Sequence, residues 1–291
     1  MTITTAPATT SSAAQQVPVR RRRNRAGIGW GILAWVVGIG MFFPVLWMVL
    51  TAFKQEGDAY TNTPKLFFVP TLDQFSAVFS SGVGTPLLNS AFATIVSAIL
   101  VLVLGIPAAF ALSLRPITRT RDALMFFIGT KMLPIVAAII PLYVIVGDLG
   151  MLDNIWTLVI LYTAMNLPIA VWMMRSFLAE VPVEMLEAAS LDGAGLIRTL
   201  RSVVVPVVLP GIAATSLICF IFSWNELLFA RVLTATVAQT APVYLTGFVT
   251  SQGLFLAKVC AAAVAVSLPV IVAGFAAQDK LVQGLSMGAV K

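Results

Sequence analysis

The sequence predicts an all-α integral membrane protein with six transmembrane helices and both termini on the cytoplasmic side. Three observations carry that expectation. Hydrophobic residues make up 59% of the 291-residue chain and charged residues only 10%, and mean hydropathy is +0.97, more apolar surface than a soluble domain of this length can hide in a core. Apolar runs long enough to cross a hydrocarbon layer of about 30 Å recur along the chain. Lysine and arginine gather in alternate connections between those runs, as membrane orientation requires.

Composition also narrows the chemistry. With no histidine, the usual metal ligand, neutral-pH general base and proton-relay residue are missing, so no metal site and no hydrolytic triad is expected. Cys219 and Cys260 lie inside apolar runs, where a thiol acts as a small hydrophobe. The net charge of +6 sits beside apolar runs, which fits membrane orientation better than a nucleic-acid partner.

Taken in order, residues 1–19 are rich in Thr, Ala, Ser and Gln without apolar periodicity, and Arg20, Arg21, Arg22, Arg23 and Arg25 complete a disordered basic tail over 1–27. The apolar run at 28–53 is longer than the roughly 7–15 residues of a signal-peptide core and lacks a small-residue cleavage site, so it reads as a retained first span. The same length test places further spans at 87–114, 123–146, 155–174, 207–230 and 256–277, giving a membrane domain over 28–279 and a C-terminal tail over 280–291. Arg115, Arg119 and Arg121 follow the second span, Arg175, Arg198 and Arg201 the fourth, and Lys280 and Lys291 the sixth. The opposite side holds only Lys54, Lys65 and Arg231, with Lys258 at the start of the sixth span. On this count the termini and the 175–206 connection face the cytoplasm.

The outer connections differ in kind. Residues 54–84, with Glu56, Asp58, Asp73, Pro64 and Pro70, read as an ordered loop, and 147–154 reads as a tight turn. Residues 231–255 are too interrupted by Pro242, Gly247 and Gly253 to span, and lie on the outer surface or dip back in. Every span contains proline: Pro44, Pro107, Pro134 with Pro141, Pro168, Pro210 and Pro269. Each removes a helical hydrogen bond and can kink its helix.

One hydrophilic island interrupts the apolar pattern, between the fourth and fifth spans. After Pro182, residues 183–190 are good helix formers, with Glu184 and Glu187 three apart near a helix N-terminus that favours negative charge. Ala188 and Ala189 keep the surface small enough for close approach. Asp192-Gly193-Ala194-Gly195 supplies a stop, because glycine takes a left-handed cap at little cost. Residues 196–205 then lead into Pro206 and the fifth span. A short helix, a sharp turn and a lead-in make a rigid knob suited to a partner's groove.

The spacing Glu187-Ala188-Ala189, three residues, Gly193, nine residues, Val203-x-Val205-Pro206 resembles the EAA loop of binding-protein-dependent ABC importer permeases, whose pattern is E-A-A-x3-G-x9-I-x-L-P. Two valines replace isoleucine and leucine. The chain after residue 25 is similar to the maltose-type carbohydrate branch at Phe42-Phe43-Pro44, Lys131-Met132-Leu133-Pro134, Phe222-Ser223-Trp224-Asn225-Glu226 and 281–291, and closest in wording to sorbitol and mannitol (polyol) permeases. The resemblance implies a coupling helix between spans four and five, which docks on a separate cytoplasmic ATPase through Glu184, Glu187, Ala188, Ala189, Asp192, Gly193 and Pro206. It also implies a tail that reaches the ATPase through Gly284, Ser286 and Gly288. Implied partners are a second homologous permease, two ATPase copies that use ATP and Mg, and an external substrate-binding protein that the 231–255 region can approach. This chain has no phosphate-binding loop of its own, so no cofactor is expected on it.

Polar residues inside the spans are candidates for the substrate pathway. Asn166 and Tyr162 lie one turn apart and offer polar groups to sugar or polyol hydroxyls, or an interhelical hydrogen bond. Lys131 can line the pathway or reach back to the cytoplasmic interface. Trp224, Asn225 and Glu226 sit near the outer end of span five, where an aromatic can stack on substrate or anchor the helix. An autonomous ion-coupled carrier is the competing class, but no internal repeat is evident and Glu226 is the sole acidic residue within a span. No nucleophile and base stand at a spacing suited to an embedded enzyme.

Overall fold

A computed structural model describes residues 25–61, 63–114, 119–132, 134–250 and 253–289. The expectations for the arginines at 20–23, for Arg115, Leu133 and Lys291, and for contacts of Gly284, Ser286 and Gly288 lie outside what is described. The chain to Trp47 forms one compact unit and the chain from Met48 another.

In order, the helices are α1 (Arg25–Ala52), α2 (Glu56–Ala59), α3 (Asp73–Ser80), α4 (Gly84–Leu114), α5 (Thr120–Met132), α6 (Ile135–Asp148), α7 (Ile155–Leu178), α8 (Val183–Leu191) and α9 (Leu196–Thr199). A π-helical turn over Leu200–Val204 follows, then α10 (Val205–Val207), α11 (Leu209–Trp224), α12 (Leu228–Leu233), α13 (Ala241–Thr246) and α14 (Leu256–Ala289). Between α13 and α14, β1 (Val249–Thr250) pairs antiparallel with β2 (Gly253–Leu254), so the all-α expectation holds except for this two-residue ladder.

Four helices are long and apolar enough to cross a membrane unbroken: residues 29–52 of α1, α4, α7, and residues 256–278 of α14. Two helix pairs pass the same test only together and are sharply bent, α5 with α6 by 88° and the α9–α10 limb with α11 by 82°, so the described helices offer four spans, or up to six if each bent pair is one. The spans expected at 123–146 and 207–230 are thus not single continuous helices, and their breaks go beyond the kink expected of their prolines. In the first, Pro134 has no N–H to continue a helix and stands as the N-cap of α6. In the second, α11 stops at Trp224 and three residues intervene before α12. Pro44, Pro107, Pro141, Pro168 and Pro269 instead lie inside continuous helices, as membrane helices tolerate where neighbours cover the freed carbonyl. Past residue 277 the sixth helix runs on to Ala289. The 231–255 stretch holds two short helices and the strand pair.

The packing centre is a parallel seam between α4 and α7. The buried face of α4 is a stripe of small side chains, Ser90, Ala93, Thr94, Ser97, Ala98, Gly105 and Ala109, with Val101 among them. Their spacing of three and four residues keeps them on one side of the helix. Where a methyl group would stand on Gly105, Ala170 Cβ lies 3.4 Å away, so the two backbones run close. At one end of the seam, Ala93 packs with Leu158, Val159, Tyr162, Phe229 and Leu233. At the other, Ala109 and Phe110 pack with Val171, Met174, Leu178, Val204 and Val208. Helix α11 joins this pair through Cys219, which packs with Ala98, Val101 and Ala170.

Of the described glycines, Gly211 in α11 has the least room for a side chain. A Cβ there would lie 2.9 Å from Cβ of Phe177 and nearer still to its ring. Gly211→Ala should therefore destabilise the protein by about 1–3 kcal/mol, the usual cost of overpacking. Adding Phe177→Ala should recover part of the loss, and an unchanged melting temperature for the single variant in detergent would show that α7 and α11 do not meet this way.

Candidate functional site

The 182–208 segment is built as a rigid corner. Pro182 caps the N-terminus of α8 with extended backbone angles. At the other end Gly193 takes φ +71°, its N–H donates to the Ser190 carbonyl at 3.0 Å, and the Ala194 N–H donates to the Ala189 carbonyl at 2.9 Å. This pair of bonds is a Schellman cap, which reverses the chain and satisfies carbonyls that the helix end leaves free. No atom lies within 4 Å of a Cβ built on Gly193, so the left-handed backbone, and not crowding, is what selects glycine.

After the cap, Gly195 leads into α9, the π-helical turn and α10. The Val205 N–H closes that turn on the Leu200 carbonyl, which places one extra residue in the helix just ahead of Pro206. At Val208 (φ −90°, ψ 12°) the direction changes and Pro210 opens α11. The limb from Leu196 to Val207 meets α11 at 82°.

The exposed side of this corner carries both charge and apolar surface. Glu184, Glu187, Asp192, Arg198 and Arg201 are exposed and pair with no other described residue. Leu191 is 90% exposed and Ile197 79%, on either side of the bend. Ala188 is exposed, whereas Ala189 is buried against the protein. Leu186 packs on the core cluster of Phe110, Met174 and Leu178, which seats α8 against one end of the seam. The segment was legible from its spacing. Its apolar contribution was not drawn from the sequence, although Leu191, Leu196 and Ile197 inside a hydrophilic island were a visible signal.

The pathway candidates separate in space. Asn166 and Tyr162 are buried in the bundle. The Asn166 Nδ2 donates to Ser223 Oγ of α11 at 2.9 Å and to the Tyr162 carbonyl at 2.9 Å, and Ser223 Oγ meets Ser97 Oγ of α4 at 3.3 Å. A polar rung thus ties α4, α7 and α11. Asn166 Oδ1 and the Thr94 hydroxyl have no hydrogen-bond partner among the described residues, and the Tyr162 hydroxyl lies beside the Glu226 carboxyl. Ser97 and Ser223 were missed in the sequence, because a lone serine in an apolar run is ambiguous until its partner is known.

Trp224 is buried, stacks on Phe220 with centroids 5.7 Å apart, and donates its indole N–H to the Val266 carbonyl at 3.1 Å. With Asn225, Pro242 and Ser267 it lines a cavity of about 410 Å³ between α11, α13 and α14. Glu226 accepts the N–H groups of Phe229 and Ala230 at 2.9 and 3.2 Å, so its carboxyl oxygens cover the free donors at the start of α12. Lys131 lies in the last turn of α5, with its ammonium 5.7 Å from the Phe222 ring centroid. It lines a second cavity, of about 280 Å³, with Thr130, Met165 and Pro168.

The end of the bundle away from α8 holds a residue that sequence reading passed over. Asp153 has φ +53°, a region that Asp tolerates better than most side chains. Its Oδ1 accepts the N–H groups of Ala235 and Ala238, both at 2.9 Å, and its Oδ2 those of Thr236 at 3.1 Å and Val237 at 3.0 Å. Next to it, Asn154 caps α7 by accepting the Trp156 N–H at 2.9 Å. Desolvation raises the Asp153 pKa, but the four backbone donors outweigh it and hold the carboxyl down at about 2.

Set against known proteins, the chain has a clear place. The chain belongs to the family of binding-protein-dependent transport system inner membrane components, whose pattern matches residues 101–286. It is a multi-pass membrane transport component and not an enzyme. It is 40% identical over 263 residues to a probable ABC transporter permease protein, y4oR, of Sinorhizobium fredii, which covers 90% of this chain and 93% of that one. It is 34% identical over 274 residues to the diacetylchitobiose uptake system permease protein DasC of Streptomyces coelicolor, over 93% and 99% of the two chains. A chain in the crystal structure of a bacterial ABC transporter involved in import of the acidic polysaccharide alginate shares the fold, with a TM-score of 0.75 and 23% identity over 91% of this chain and all of that one.

The Asp153 carboxyl predicts a pH dependence. A folded pKa depressed from 3.8 to about 2 contributes stability that is fully present above 3.8 and is lost as pH falls toward 2. In thermal melts, Asp153→Asn should lie below the wild type at neutral pH, and the gap should close between those two values. A gap independent of pH would mean that the carboxylate charge does not hold the segment.

Proposed function

We propose that this chain is the permease subunit of an ATP-driven carbohydrate importer, handling sugar alcohols or related sugars, and that it forms half of the translocation pathway. The observation that carries this reading is the exposed corner at α8, where acidic and apolar side chains flank a bend fixed by Gly193. Such a surface fits a groove on a cytoplasmic partner with basic walls and an apolar floor. The partners are a second homologous permease, two ATPase subunits that bind ATP and Mg, and an external protein that delivers substrate. The naming of the Streptomyces relative for diacetylchitobiose uptake supports a carbohydrate cargo. Both termini and α8 face the cytoplasm in this reading, in line with the arginine distribution.

Motion enters at α8 and Glu187 and passes through the α9–α10 limb into α11. ATP binding and hydrolysis in the partner move α8, and the corner tilts α11 against α7, alternating access to a cavity shared with the second permease. Lys131, Trp224 and Asn225 are the pathway candidates on cavity walls. Asn166 and Tyr162 act on the pathway through the polar rung behind it. Glu226 is engaged in capping α12, which argues against the ion-coupled carrier, where a membrane carboxylate must be free to take up a proton or sodium.

Glu187→Lys combined with Leu191→Asp should reduce co-purification of the ATPase by about tenfold, equivalent to roughly 1.4 kcal/mol of binding, and abolish uptake while the permease still inserts. Normal association and uptake would remove the coupling assignment. For the pathway, Trp224→Ala or Lys131→Ala should alter substrate affinity or maximal uptake at normal expression, and unchanged kinetics in both would take these residues off the route.

A further inference from the structure

Lys131 stands inside the membrane bundle without an acid to match it. It lines the cavity of about 280 Å³ described above and a third one, of about 270 Å³, walled by Phe127, Ile169 and Trp172, and Pro168 lies on the wall of both. Pro168 is close to the middle of α7, with roughly 15–20 Å of helix to either end at 1.5 Å per residue. The charge therefore sits near mid-depth of a span. No aspartate or glutamate among the described residues lines either cavity. Among the same residues the ammonium makes no ion pair, and the group it faces is the Phe222 ring.

The last turn of a helix suits a cation, because the free carbonyls there are partly negative. That explains a lysine on α5 and leaves its head on the cavity wall. A ring face offsets a cation only in part, and ionisable groups inside a membrane stand where a partner or a water-filled route meets them. The walls specify the kind of partner. Trp172, 37% exposed, presents an indole on one side, an apolar face on which the C–H surface of a sugar can lie. On the other side Thr130 Oγ gives its proton to the Phe127 carbonyl at 2.8 Å and stays open to accept from a sugar hydroxyl. What the walls lack is negative charge. A sugar hydroxyl accepts from the ammonium but leaves its charge uncancelled, whereas a carboxylate bonds to it and cancels it, with more effect where water is scarce.

We propose that Lys131 is the charge-selecting residue of the pathway: its ammonium, shared by the two cavities, takes the carboxylate of a sugar acid or acidic sugar and favours it over a neutral sugar or sugar alcohol of the same shape. The assignment rests on the importer reading above, and makes its related sugars the acidic ones. A lipid phosphate is an anion too, but it lies with the headgroups, half a membrane away from the level of Pro168.

The test measures equilibrium binding to the complex of permeases and ATPases in nanodiscs of phosphatidylcholine, with and without phosphatidylglycerol. The probes are gluconate against sorbitol and glucuronate against glucose, each pair differing by a carboxylate in place of a CH₂OH group. In the wild type the acid of at least one pair should bind about tenfold tighter than its neutral partner, and Lys131→Gln should bring the two within about twofold by weakening the acid alone. Lys131→Arg should keep the preference, since a guanidinium also pairs with a carboxylate. Equal affinities within both pairs, binding of none of the four, or a preference that survives Lys131→Gln overturns the assignment; a lower melting temperature with the preference intact marks a helix anchor. A preference that phosphatidylglycerol abolishes assigns Lys131 to headgroup phosphate and overturns it as well. If Lys131→Gln fails to assemble, Lys131→Met decides by the same ratio. ATP-driven uptake by the complete importer, with its external protein, is followed in parallel. Failure with every carbohydrate offered brings down the importer reading and this inference with it, whereas uptake without any acid preference in the binding assay brings down this inference alone.

Discussion

In a hydrocarbon layer two apolar helices gain nothing from hiding from water, so they stay together only where their backbones come close enough for dense van der Waals contact and a few interior hydrogen bonds. The α4–α7 seam meets both conditions. Alanine, serine, threonine and glycine along α4 let α7 approach, with Gly105 set against Ala170. The Asn166–Ser223–Ser97 rung then extends the polar ties to α11. The outcome is a three-helix block whose two ends carry different apolar clusters. One end is threaded by Phe229, Leu233 and the segment held by Asp153, and the other by Leu178, Val204 and Val208 under the α8 corner.

In the proposed importer the corner is the lever. The Schellman cap at Gly193 fixes the chain reversal after α8, and the limb beyond it meets α11 at 82°, so in that reading a displacement of α8 is passed on as a tilt of α11. The nearest obstacle to that tilt is the Phe177 ring over Gly211, one short turn into the helix. A glycine there does two things at once. It admits the aromatic ring, and in the proposed importer it sets the pivot of α11 close to the corner.

The existence of the membrane spans was readable because length and hydropathy report composition. Their direction was not, since Pro107 and Pro134 are the same letter, and only the second lies where a helix ends. The helical island was legible for a local reason. Glu187, Ala188, Ala189 and Gly193 act within one turn and its cap, so their spacing carries the geometry. Asp153 and Ser223 work through partners far along the chain, 82 residues away for the Ala235 N–H and 57 for Asn166. No window of sequence holds both halves of such a contact. Glu226 reads in the sequence as a pathway candidate, and only the short α12 that starts beyond it reveals that its carboxyl takes up the free N–H groups there.

The π-helical turn at Leu200–Val204 has a consequence for how this stretch tolerates change. A helix advances about 100° per residue, so the single extra residue stored there sets the rotational phase between the 182–195 corner and everything after Pro206. A substitution in the turn leaves that phase alone. A deletion of one residue would let the turn relax to an ordinary α-helix, yet would swing α8 about a quarter of the way round its limb, carrying Glu187 and Leu191 off their face with every side chain still present. The count of residues between Gly193 and Pro206 is thus itself a functional quantity, separate from which residues they are.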